Sequence, residues 1–481
     1  MLQEKMLIDG KWVDAASGAV LTVRNPVDNE PFATVPNCGL EEVDAAVAAA
    51  GLAFKSWSRT TPFHRGRILR EASRLVLENS DAIARLMTRE QGKPLKEATG
   101  EVVKGAQILQ YYAEEGERVF GRIIANEEGN DIESQVIYQP VGVAACISPW
   151  NYPIELLAWK VGAALATGCT VVLKVPSETP LCAIEFVRTM LPAGIPDGVI
   201  NVITGPGSVV GQRLSEHPDV KKIAFTGSTA VGQTIMRAAS QTLKHLSLEL
   251  GGSLPMIVCA DCKLDAAVAG AVRRSFRNMG QICIAVNRIY VARDIYEPFM
   301  ERFAAQACKL KIGNGLTDSC DLGPMCTAKG VGTAERHIKD AVDKGASIAC
   351  GGKAPDGDAF AKGNFFEPTI LRDVNHSMLV MQEETFGPVV GVMPFDLIEE
   401  VIALANDSMY GLASIVYTES LSLAKRLSLE LESGNVAINN VDAGVINAPY
   451  GGWKYSGFGH EHGPEGLYEY LNIKHIRIRT L

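Results

Sequence analysis

The chain has 481 residues, 47% apolar and 21% charged, with a formal net charge of −9. That length suggests about three domains, and an acidic balance without a basic stripe excludes a nucleic-acid binder. Apolar runs are short and broken by Gly or Pro, so no segment reads as crossing a membrane.

The opening residues Met1-Leu2-Gln3-Glu4-Lys5 lack the basic-then-apolar order of a secretory leader, so a cytoplasmic protein is expected. The 11 cysteines are scattered along the chain, and reduced thiols are expected. Residues 5–8 and 12–13 read as short strands. Helical spacing follows at 41–57, where Val43, Val47, Ala50, Phe54 and Trp57 recur every three or four residues. Pro62 opens a second helical pattern that runs towards Glu90 and ends at Gln91-Gly92, and a third spans 95–119.

From 141 onward, short apolar runs at 141–147, 171–175, 200–203 and 222–225 alternate with helix-like stretches, as in βαβ units on a parallel sheet. The alternation restarts at 254–258 and continues through 289–291, 347–349 and 389–392, which predicts two parallel-sheet α/β domains in series. The final segment, 472–480, sets Ile476 and Ile478 on one face and Arg477 and Arg479 on the other. Such a strand needs a sheet to join. Val136-Ile137-Tyr138 is a candidate partner, either as a plain edge in the same chain or as part of a strand pair that joins a neighbouring subunit.

Three residues carry the chemistry. Cys283 follows Gly280-Gln281-Ile282; at an expected loop or helix start, backbone N–H groups would lower its pKa and make it a nucleophile for an aldehyde carbon. Asn151 lies between Pro149 and Pro153, where a restrained side-chain amide can donate to a developing oxyanion. Glu249 sits in the apolar run Leu246-Ser247-Leu248-Glu249-Leu250, where partial desolvation would raise its pKa towards that of a base for water. Standing alone, these would read as a buried thiol, a turn amide and a backbone-capping carboxylate.

Two Gly-rich segments follow strands. Gly205 to Gly211 is one residue too long for a dinucleotide fingerprint, whereas Phe225-Thr226-Gly227-Ser228-Thr229 would open a helix suited to a pyrophosphate. Lys174-Val175-Pro176-Ser177-Glu178 offers a lysine to ribose hydroxyls or to a 2′-phosphate. Cys259 and Cys262 have no second CxxC, and His460-Glu461-His462 lacks metal spacing and reads as solvated loop, so no metal site is expected.

Taken together, PWN at 149–151, KxxS at 174–177, FTGST at 225–229, ELGG at 249–252, GQIC at 280–283, EETFGP at 383–388 and YGGWKYSGFG at 450–459 resemble the NAD(P)-dependent aldehyde dehydrogenase superfamily over nearly the whole chain. The text is most similar to its succinate-semialdehyde dehydrogenase branch. The resemblance implies a Rossmann-like cofactor domain from 1–120 and 141–248, a catalytic domain from 249–449, and a small β oligomerisation arm with the C-terminal segment from 121–140 and 450–481. A homodimer or homotetramer is implied, acting on a small aldehyde.

By the same resemblance Cys283 is the nucleophile, Glu249 the deacylating base, and Asn151 with the Cys283 backbone N–H the oxyanion hole. The NAD or NADP surface would take in Ile147, Pro149, Trp150, Lys174, Ser177, Glu178, Gly207, Phe225, Gly227, Ser228, Val231 and Leu250, with Glu384 on the nicotinamide ribose and Phe386 beside the ring. Small, neutral Ser177 with Lys174 leaves room for NADP unless Glu178 turns inward, so dual use or an NADP preference is expected. Ala285, where some relatives carry a second cysteine, implies no redox-switch disulfide with Cys283.

For the substrate, Arg277 stands where that branch receives a distal carboxylate, but Trp159 replaces its second arginine. A short ω-semialdehyde is expected, with Arg277, Trp159 and Tyr152 around it. Glu155 is a possible partner that would spoil the anion site. Neutral or aromatic aldehydes, a CoA-acylating reaction and a non-catalytic nucleotide-binding protein remain open.

Overall fold

Two large sheets dominate the computed structural model, which describes residues 1–125, 127–128 and 131–479. The first has eight strands. Its parallel centre runs, in space, His245–Glu249, Val220–Thr226, Val143–Ile147, Thr170–Lys174 and Ile200–Ile203. Met6–Ile8 and Lys11–Val13 extend one edge, and Gly457–Phe458 pairs antiparallel at the other. Val143–Ile147 and Thr170–Lys174 are buried along their whole length, which explains runs without polar alternation: helices cover both faces of a parallel sheet.

The second sheet has seven strands, in the order Ser347–Cys350, Thr369–Arg372, Val389–Phe395, Val286–Ala292, Leu254–Val258, Ala413–Tyr417 and Asn435–Ile438. All pairs are parallel except the first. Each large sheet has its own buried apolar cluster. A separate antiparallel sheet joins Leu471–Arg479, Ile132–Pro140 and Arg122–Ile124, with His475 opposite Val136 as the pattern at both segments predicts.

Three expectations need correction. The pattern from 62 to 90 is two helices, Pro62–Glu78 and Ser80–Gln91. Asn79 separates them because its side-chain amide donates to the Leu75 carbonyl (2.8 Å) and offers the backbone a cap in place of another turn. The third helix ends at Glu115, and one 3₁₀ turn, Gly116–Arg118, follows. Nor are all cysteines reduced. Cys308, at the end of the helix Tyr296–Ala307, is disulfide-bonded to Cys350 on the edge strand, with Cα atoms 6.4 Å apart. Helix-on-sheet packing brings these two together across 42 residues, so local spacing cannot reveal the pair.

Candidate active site

Register in the first sheet sets out one half of the site. Thr226 pairs with Glu249, Phe225 with Ile147, and Ile147 with Lys174, which in turn pairs with Ile203. The carboxyl ends of five parallel strands therefore form one row, the place where open α/β sheets bind ligands. Pro149 and Trp150 leave this row after Ile147, Gly227 and Ser228 after Thr226, Leu250 after Glu249, and Gly207 after Ile203.

Ser228 caps the helix Thr229–Ala239 without a side-chain hydrogen bond to it, so the first-turn N–H groups face outward; Val231 in that turn is exposed. Lys174 is buried, and burial holds its pKa below the usual lysine value, with Glu178 acting in the opposite sense. The Ser177 hydroxyl donates to the Gly205 carbonyl (3.4 Å), while Glu178 is exposed. Across the cleft, a Glu384 carboxylate oxygen accepts from the Gly252 N–H (3.1 Å), and a Cβ at Gly251 would stand 2.5 Å from the other oxygen. Phe386, at φ 48°, sets its ring edge-on to Trp150 with centroids 5.3 Å apart. Free helix N–H groups, a buried lysine and a carboxylate around a cleft that only glycine leaves open fit a dinucleotide.

Cys283 lies at the end of this cleft. It does not start a helix: a 3₁₀ turn, Arg277–Gly280, precedes it and the strand Val286–Ala292 follows. Instead of a lowered pKa, the thiol is pushed up to about 12, first by burial, with the Tyr450 hydroxyl (3.8 Å) acting against that and Glu249 and Glu384 adding to it. The turn is tightly wound. Asn278 and Met279 have φ of 50° and 58°, and a Cβ on Gly280 would lie 2.2 Å from the Gly387 carbonyl oxygen.

One N–H of the Asn151 side chain donates to the Gln281 carbonyl (3.0 Å). An amide has two such protons, so the other is available to a ligand. Its backbone carbonyl accepts from Lys93 Nζ (2.8 Å) and from Asn278 Nδ2 (3.1 Å). Lys93 is fully buried and paired with Glu101 (2.5 Å), and Gln91 Nε2 donates to Asn278 Oδ1 (3.0 Å). The loop bearing the donor and the turn bearing the thiol are thus tied by one buried network.

Glu249 is 3% exposed, and among the described residues neither carboxylate oxygen has a hydrogen-bond partner. Burial holds its pKa well above the usual carboxylate range, and the charge of Glu461 pushes it further. Lys160 opposes both, bonded to Glu461 (2.7 Å) and to the Thr226 hydroxyl (2.6 Å). Glu461 and His462 are buried, which corrects the solvated-loop reading of that segment.

Beyond Cys283 a cavity of about 430 Å³ is lined by Tyr152, Trp159, Arg277, Tyr450 and His462, with Asn151 at the reacting end. Trp159 packs against Tyr450 and His462, with ring centroids 5.2 and 3.8 Å apart. The ion partner of Arg277 is Glu97 (3.8 Å), and not Glu155, the possible partner named from the sequence: Glu97 lies at the start of the helix Leu95–Glu115. The structure thus gathers Cys283, Asn151, Trp159, Tyr152 and Arg277 at one cavity, with Glu249 outside its lining but near enough to raise the Cys283 pKa, and the nucleotide-side residues along one sheet edge.

Sequence reasoning missed Tyr450, Lys93, Lys160, Glu461 and His462. Lys160, the one polar residue between Leu156 and Ala166 in the helix Glu155–Thr167, was the available signal for a buried acidic partner.

The site has a thiol able to attack a carbonyl, an amide able to hold the oxyanion and a carboxylate able to take a proton. The Aldehyde dehydrogenase family description matches residues 12–476. The chain is 43% identical to the succinate-semialdehyde dehydrogenase [NADP(+)] of Escherichia coli, covering 99% of this chain and 98% of the relative. It is 44% identical to a glutarate-semialdehyde dehydrogenase of Pseudomonas putida, again over 99% and 98%. A structure of betaine aldehyde dehydrogenase from Staphylococcus aureus in complex with NAD+ superposes with a TM-score of 0.97 at 38% identity, covering 100% of this chain and 95% of that one. The chain belongs to the aldehyde dehydrogenase family.

Proposed function

We propose that this aldehyde dehydrogenase family member oxidises a short ω-semialdehyde, of the succinate or glutarate kind, to the dicarboxylic acid with NAD or NADP. The observation that carries the substrate class is Arg277 at the wall of the Cys283 cavity, where a guanidinium can take a carboxylate in two hydrogen bonds. Names of the two semialdehyde-oxidising relatives support it.

Cys283 Sγ attacks the aldehyde carbon as the thiolate, its proton released to solvent, and the free N–H of Asn151 holds the oxyanion of the thiohemiacetal. NAD or NADP held along the sheet edge would supply the hydride acceptor. Cys283 is left as a thioester, and Glu249 takes a proton from water as that water attacks, which releases the acid and the thiol. Asn151 is positioned for this by Lys93 and Asn278, and Glu249 by the strand that ends on it.

On the nucleotide side, Lys174, Ser177, Ser228, Glu384 and Phe386 would hold the cofactor. Outward Glu178 and small Ser177 support use of NADP as well as NAD. In this reading residues 1–120 and 141–248 form the cofactor domain and 249–449 the catalytic domain. The sheet built from 122–124, 132–140 and 471–479 is the oligomerisation arm, with Phe120, Ile123 and Ile473 as exposed apolar residues for a second copy. A neutral aromatic aldehyde is the second reading, favoured by the Trp159 and Tyr152 wall.

The test is kcat/KM for succinic semialdehyde, glutaric semialdehyde, butanal, benzaldehyde and betaine aldehyde, with each nucleotide, in the wild type and Arg277→Ala. A semialdehyde should lead, and the variant should lose it selectively. A leading neutral aldehyde with an indifferent variant would refute the substrate class and leave the reaction intact.

A further inference from the structure

The cavity contains more positive charge than the reaction uses, and its cations are not equally engaged. Arg273 and Arg274 both bind Asp442, at 2.9 and 2.8 Å, and Arg274 also donates to the Val441 carbonyl. Arg277 is shared with Glu97. Lys104, on the helix Leu95–Glu115, lines the same cavity and is half-buried, and among the described residues no hydrogen bond or ion pair holds its ammonium.

The rest of that wall is neutral. Trp159 has no charge to offer. His462 has none either: its Nδ1 lies 3.0 Å from the Val445 carbonyl, which can only accept, so that nitrogen carries the proton. Burial keeps the ring uncharged, with its pKa down at about 3. The His462 backbone sits at φ 60°, ψ 172°, a region that side-chain-bearing residues rarely adopt, and it presses the ring onto Trp159. Tryptophan and histidine thus close one side of the cavity with an uncharged surface.

We propose that Lys104 is the second receptor for the distal anion of the substrate, acting with Arg277 from a different element of the fold. This rests on the anionic-aldehyde reading above. The two cations differ in kind. Arg277 is planar and leans on Glu97, so it fixes an orientation; Lys104 is a point charge on a flexible four-carbon stem and can follow a carboxylate at more than one depth. Glu155 lies on the same wall and is the acid nearest in effect to Lys104. It supplies the rival account, in which Lys104 merely offsets Glu155.

The experiment compares kcat/KM of the full-length enzyme for succinic semialdehyde and for butanal, which has the same carbon count and no charge. The variants are Lys104→Met, Lys104→Arg, Arg277→Ala and the double variant Lys104→Met/Glu155→Gln. Lys104→Met is expected to lower the succinic semialdehyde to butanal ratio by about 10- to 100-fold, the worth of one hydrogen bond to a charged group, mostly through KM. Lys104→Arg should retain most of the ratio.

If Arg277→Ala loses the ratio and Lys104→Met does not, the proposal is wrong and the anionic-aldehyde reading stands. Recovery of the ratio in the double variant would also overturn it, because Lys104 would then act only on Glu155. A wild type that does not prefer the charged aldehyde would overturn both the proposal and the reading beneath it.

Discussion

The two ends of the substrate cavity are held by different physics. At the reacting end, Asn151, Asn278, Gln281 and Lys93 share buried hydrogen bonds, and among the described residues neither carboxylate oxygen of Glu249 has a partner. At the far end, Arg277 and Lys104 are long cations on two elements, half-buried; Arg277 pairs with Glu97 at 3.8 Å, and among the described residues Lys104 has no ion pair. A low-dielectric network fixes geometry and makes any loss costly, whereas a partly solvated cation can be exchanged at modest cost to the fold. On the proposed reading, the chemistry is built into the rigid end and the choice of aldehyde into the adaptable one.

Substitutions should separate the ends, and the largest effects belong to the reacting end. Glu249→Gln removes the base for water while leaving the thiol in place. A burst of reduced nucleotide, one per active site, should precede a steady rate lowered by about 10²–10⁴-fold. Loss of the burst itself would assign Glu249 to the first half of the reaction. Asn151→Ala should lower kcat by about 10²–10³-fold with little change in KM, for charged and neutral aldehydes alike. A loss confined to semialdehydes would move Asn151 to the far end.

Lys93→Met touches neither substrate nor nucleotide. It leaves Glu101 buried without its cation, at about 3–5 kcal/mol of stability, and removes one of the two donors that hold the Asn151 carbonyl. Chemical denaturation should show the first effect, and a fall in kcat for both aldehyde types the second. An unchanged denaturation midpoint would mean that the pair is not what anchors this loop.

The same contrast governs what the sequence discloses. Cys283, Asn151 and Glu249 stand in contiguous motifs, since each needs a particular backbone setting, such as the Gly280 that alone fits against the Gly387 carbonyl. The parallel strands announce themselves through unbroken apolar runs, and the 471–479 strand through its alternation. The far end has no such text. Lys104 is one of two lysines on an amphipathic helix, and only packing shows that it lines the cavity. His462 sits in a stretch of polar residues that reads as loop, although it is buried. The wrong expectations fail for the same reason: the pKa of Cys283 is raised first by burial and then by Glu249 and Glu384, and the partner of Arg277 is Glu97, and no local pattern shows that these distant parts of the chain come near.

The smallest predicted effect tests the far end by pH. Burial first, and the charge of Glu101 next, push the Glu155 carboxyl up to about 7, against the opposing pull of Lys104, Arg277 and Lys93. A raised carboxyl pKa means that Glu155 is neutral below about 7 and ionised above it. Once ionised, it repels a substrate carboxylate and competes for the two cations. Because the semialdehyde's own carboxylate remains ionised from about pH 6 upward, the ratio of kcat/KM for succinic semialdehyde to that for butanal should fall as pH rises through 7. Dividing by butanal removes the titrations of Cys283 and Glu249, which both substrates share. A fall on the order of threefold is expected, since the pair of like charges is partly solvated, and Glu155→Gln should flatten the profile at its high, low-pH value. A ratio that rises with pH would show that ionised Glu155 organises the cations rather than competing for them, and would reverse the role assigned to this wall.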